Sequence, residues 1–151
     1  MYRYLDRPVA ALGPGESFLL WSIRRAAAAI AGKHCLGGAL GPAFGRHDLE
    51  SGLPHFAMAM ALLLRDCDSP LEVMAPDAPQ VSEHEALLLA LFGATDTGAE
   101  QRVRDTLALL LSDGGVLTAT HRAARSFTAA LLAAGMAPPI PDSLTGEKPK
   151  R

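Results

Sequence analysis

Aromatic residues make up only 5% of the chain, and β-branched residues are scarce as well. Both types favour strands, so their shortage argues against a sheet-rich fold. Cysteine is rare: Cys35 and Cys67 are the only two. A secreted disulfide scaffold of this length carries more. Both lie among apolar neighbours, which predicts reduced, buried thiols.

Charge of one sign is also missing. The chain carries 14 basic and 16 acidic residues, a formal net charge of −2. That excludes the broad positive field of a generic nucleic-acid or acidic-membrane binder. Arginine far outnumbers lysine, which reads as compositional bias. The best apolar run, 56–64, is about half the ~20 residues a membrane helix needs. Arg3 and Arg7 are followed by Glu16, Arg24 and Arg25, which interrupt any secretory pattern. A cytoplasmic protein is expected.

Hydrophobic residues are plentiful at 49%, and the core must be built from Leu, Ala and Met. Ala and Leu are among the best helix formers. At 151 residues the chain suits one domain. The expected fold is all-α: a compact bundle of five to six helices over 16–136. An arm over 1–15 precedes it, and a Pro-rich tail over 137–151 is expected to be disordered.

Local signals place the helices. Pro14 and Gly15 precede a first helix over 16–31, with Gly32 as its stop. Leu19, Ile23, Ala26 and Ile30 form its apolar stripe, and Arg24 and Arg25 fall away from it. The glycines of 37–45 suggest a short helix or helical turn. Pro54 belongs in the first turn of a helix over 51–65. That helix is apolar on all sides and is expected to be buried and central. A proline-bearing loop covers 66–80. Ser82 with Glu85, and Thr97 with Glu100, read as capping boxes for two further helices. Gly93 stops the first, and Gly114-Gly115 are expected to end the second. A last helix over 117–134 ends at Gly135. No repeat of fixed period occurs.

Candidate chemistry is sparse. Metal ligands would come from His34, Cys35, His47, Asp48, His55 and Cys67. A zinc site usually wants a close pair of ligands, and no Cys-x-x-Cys, His-Glu-x-x-His or Glu-x-x-His occurs. His34 and Cys35 are adjacent, and neighbours rarely point at one ion. No Gly-x-Ser-x-Gly elbow or P-loop is present, and no cofactor is expected. Gly37, Gly41 and Gly45 would line one flat helix face that admits another backbone. Arg46 and His47 beside them allow an anion site. On the last helix His121 and Arg125 share a face with Arg122 nearby, as a DNA-reading helix over 99–134 would require.

These features set three expectations. The first is a non-enzymatic interaction or regulatory module, self-associating as a homodimer to cover an apolar surplus. The second is a DNA-binding regulator using His121, Arg122 and Arg125. The third is a small-ligand or metal-binding bundle with its site near His34, Cys35, His47 and Cys67.

Overall fold

A computed structural model describes residues 7–94 and 98–137. Their architecture is helical, with α1 Pro14–Ala31, α2 Leu36–Arg46, α3 Leu53–Asp66, α4 Glu83–Gly93, α5 Ala99–Leu110 and α6 Gly114–Ala133. Short 3-10 turns occupy Val9–Ala11 and Glu50–Gly52. Among the described residues the only strand-like pairing is an isolated bridge between Pro8 and Gln80. None of these helices is long and apolar enough to cross a membrane.

The few aromatics are concentrated at the centre. Phe44, Phe56, Phe92 and Phe127 come from α2, α3, α4 and α6 and are fully buried. Phe56 and Phe127 approach to 4.8 Å between ring centroids, and Phe92 stands edge-on to Phe127 at 5.5 Å. Each such pair adds about 0.5–1.5 kcal/mol beyond the area it buries. Leu19, Leu20 and Ile23 of α1, Met60 and Leu63 of α3, and Leu88 and Leu89 of α4 complete one continuous core. Gly52 lets the 3-10 turn lie directly on α6. A Cβ there would stand 2.9 Å from Ala130 Cβ and 3.3 Å from Phe127 Cδ1.

The helix α1 opens two residues earlier than its sequence signals suggest. Pro14 takes the first helical position, where its fixed φ fits and its missing N–H costs nothing. Glu16 then accepts a hydrogen bond from the Gly13 amide at 3.0 Å. Residues 7–9 of the expected arm are tied to the body. Val9 donates to Pro79 O at 2.8 Å, and Val81 donates to Arg7 O at 3.0 Å. Tyr2, Tyr4 and Leu5 lie outside the described residues.

The glycine-rich stretch is a full helix, α2, with Pro42 inside it. Pro42 offers no N–H to the Gly38 carbonyl, a defect in an isolated helix. Burial of Leu40, Ala43 and Phe44 offsets that defect. The central position of α3 holds: it packs most extensively on α6 and also touches α1 and α2. It is not buried all round, however. Phe56, Ala59, Met60, Leu62 and Leu63 face inward, whereas Met58 is 54% exposed. Neighbouring helices cover only one side of α3, and alanine and methionine tolerate the open side.

The capping box of α4 forms as its spacing predicts. Ser82 Oγ accepts from the Glu85 amide at 3.2 Å, and Glu85 Oε1 accepts from the Ser82 amide at 2.9 Å. The proposed partner of Glu100, Thr97, lies outside the described residues, and α5 begins after Gly98, whose φ is +85°. Gly114-Gly115 do not end α5. It stops at Leu110, and the two glycines form the first turn of α6. Asp113 decides the matter, because its Oδ1 accepts from the amides of Gly115 at 2.8 Å and Val116 at 3.0 Å. Such a cap is worth about 1 kcal/mol and offsets much of the glycine penalty. At the far end, Gly135 adopts φ +73°. Its amide donates to Leu132 O, and that of Met136 donates to Leu131 O at 2.8 Å, closing the helix. Of the expected tail, residues 138–151 lie outside the described residues.

Candidate functional site

Among the described residues, the four offered for a metal or ligand site do not gather as a metal centre. Cys35 is the N-cap of α2 and is exposed, not buried as its apolar neighbours suggested. Cys67 is the C-cap of α3 and half-buried. Burial first, then Asp68 and Asp66, push the Cys67 thiol up to about 11. Such a thiol is a poor ligand and nucleophile, because the thiolate does that chemistry. His34 is exposed. His47 follows α2 and packs its ring against Phe18 at 4.7 Å. Among the described residues no three His, Cys, Asp or Glu side chains gather as metal ligands would. Arg46 lies in the last turn of α2, the negative end of a helix, which disfavours an anion.

The basic residues of α6 are brought together. After the three-residue turn 111–113, α6 runs back along α5. Glu100, near the start of α5, therefore meets His121 and Arg125, one turn apart on α6. Arg104 adds a guanidinium one turn along α5. Thr118, Arg122 and Ser126 complete a shallow, solvent-open cleft of about 520 Å³. Sequence reasoning named three of these residues. It missed Arg104, and it took Glu100 only as a capping acid.

The electrostatics are lopsided. Among the described residues, three guanidiniums and an imidazole line the cleft together with one carboxylate. His121 and Arg125 are mostly buried, with side chains 14% and 19% exposed, whereas Glu100 is 69% exposed. Arg125 Nε donates to Glu100 Oε2 over a long 3.3 Å. His121 Nε2 stands 2.9 Å from Glu100 Oε1, an ion-pair distance when the imidazole is protonated. No hydrogen bond forms there, and Arg125 Nη1 is likewise buried without a hydrogen-bond partner. The cleft is thus rich in donors and short of acceptors, the chemistry of holding an anion.

A different buried charge was not foreseen. Arg24, expected to fall off the apolar stripe of α1, is 2% exposed and pairs with the fully buried Glu85. Its remaining donors reach the carbonyls of Ala78 and Gln80, both at 2.9 Å. Every strong donor in this network faces protein acceptors, so its role is to fasten the 67–82 segment to α1 and α4. Comparison with protein-family models, with curated proteins and with solved structures finds no match.

Proposed function

We propose that this chain is a helical binding module, without catalysis of its own, that takes a small anion in the α5–α6 cleft. The observation that carries this reading is that, among the described residues, partly buried donors outnumber the one exposed carboxylate they surround. The geometry favours a small ligand over duplex DNA. The helices α5 and α6 lie side by side, so the face bearing His121 and Arg125 is half covered by α5. Arg122 and Thr118 remain exposed, fewer phosphate contacts than a duplex binder usually makes. Calorimetric titration with inorganic phosphate at low salt tests the reading. Saturable binding is expected for wild type and its loss for Arg122→Ala/Arg125→Ala. Equal binding of both proteins, or of neither, would remove it. Tighter binding of a DNA duplex than of phosphate would return the DNA reading to first place.

A second reading, self-association, draws on the outward face of α2. Gly37 and Gly38 are exposed, and a Cβ at Gly41 would meet nothing within 4 Å. Among the described residues no helix packs on that face, and a second copy could approach it closely. Sedimentation equilibrium should then show a dimer that Gly41→Leu dissociates. A monomer at all concentrations would end this reading.

A further inference from the structure

Glu100 lines the cleft without satisfying its donors. A carboxylate facing a guanidinium normally makes two parallel hydrogen bonds. Here it divides its oxygens between Arg125 and His121, making one long bond to Arg125 Nε and a contact to His121 Nε2 that is not a hydrogen bond. Arg125 Nη1 stays buried and unpartnered as a result. The carboxylate, held on the α5 backbone, leaves both that nitrogen and His121 Nε2 without a hydrogen bond. Its side chain is 69% exposed and can swing outward into water.

A phosphate monoester carries three terminal oxygens and nearly two charges at neutral pH. Seated where the carboxylate now lies, it could accept from Arg125 and His121 together. Arg122 and Thr118 stand on the same cleft wall. We infer that Glu100 is an internal ligand of the cleft, a carboxylate that occupies the His121–Arg125 anion position until a phosphate monoester displaces it. This rests on the anion-binding reading above. It adds the ligand class and a built-in competitor that sets the affinity. Carboxylate ligands gain little from the exchange, because they replace like with like.

The test is titration of the full chain with phenyl phosphate and, in parallel, with benzoate. Wild type, Glu100→Gln and Arg122→Ala are compared, with circular dichroism confirming the helical fold of each. If Glu100 occupies the position about nine-tenths of the time, its removal tightens phenyl phosphate binding about tenfold. Benzoate is expected to bind wild type far more weakly than phenyl phosphate, and Arg122→Ala to weaken phenyl phosphate binding. Unchanged or weaker phenyl phosphate binding by Glu100→Gln, with Arg122→Ala still impaired, overturns the internal-ligand inference and leaves the anion site standing. Absence of binding by all three proteins overturns both.

Discussion

Arg24 of α1 grips Glu85 of α4 through two parallel hydrogen bonds, Nε to Oε2 at 2.8 Å and Nη2 to Oε1 at 3.0 Å, inside the protein. The carboxylate also accepts from the amides of Ser82 and Met74, each at 2.9 Å. Both charges are therefore fully hydrogen-bonded, the condition under which a buried pair is tolerated.

Breaking the pair from one side leaves an uncompensated buried charge. Arg24→Met or Glu85→Leu should each cost about 3–5 kcal/mol, read as a lower urea midpoint. The double variant should lose less than the sum of the two, because no charge is then stranded. Strict additivity would show that the two residues do not act as a unit.

The same carboxylate predicts an acid limb in stability. Burial alone would raise the Glu85 pKa, but the Arg24 hydrogen bonds, the Ser82 and Met74 amides and the Arg24 charge outweigh it and hold it below the ordinary value of 4.5. A depressed folded pKa contributes stability that is fully present above the unfolded value. That contribution is lost as pH falls through the lower folded one. The stability difference between wild type and Glu85→Gln should stay constant from neutrality down to about pH 5 and shrink below 4.5. A gap that widens on acidification would contradict the pairing.

The two thiols should separate in reactivity. Exposed Cys35 should react fast with a disulfide reagent at pH 8, while Cys67, half-buried and raised to about 11, should lag well behind. Cys35→Ser should delete the fast phase alone. Persistence of that phase would place the accessible thiol at Cys67.

Lys33 offers a stabilising substitution. It ends α1 in the left-handed region at φ +60°, a conformation that costs a side-chain-bearing residue about 1–2 kcal/mol. Lys33→Gly should raise stability by about 1 kcal/mol and leave the His34 to Ala29 closing bond in place. A decrease would mean that the lysine side chain has a stabilising role of its own.

What the sequence revealed was mostly local. Ser82 and Glu85 are three apart, so their mutual capping is read from local spacing alone. Gly114-Gly115 are ambiguous by themselves, since glycine can close one helix or loosen the start of the next. The neighbouring Asp113 side chain decides between the two. Arg24 was illegible for a different reason. Its partner lies 61 positions away, and nothing near Arg24 distinguishes a buried arginine from a solvated one. The cleft was half legible. Helical spacing put His121 and Arg125 on one face, but Glu100 joins them across 25 positions, only because α6 turns back beside α5.

The stretch between α3 and α4 has almost no backbone ladder of its own. Three of its carbonyls, at Pro76, Ala78 and Gln80, and the amide of Met74 end on the Arg24–Glu85 pair instead. This extended segment is therefore tied to the interior more firmly than surface loops usually are. Its release breaks the contacts to the buried Arg24–Glu85 pair and strands their polar groups. Amide protons such as that of Met74 should exchange with solvent as slowly as those of the core helices, so that a segment irregular in shape unfolds as part of the central cooperative unit.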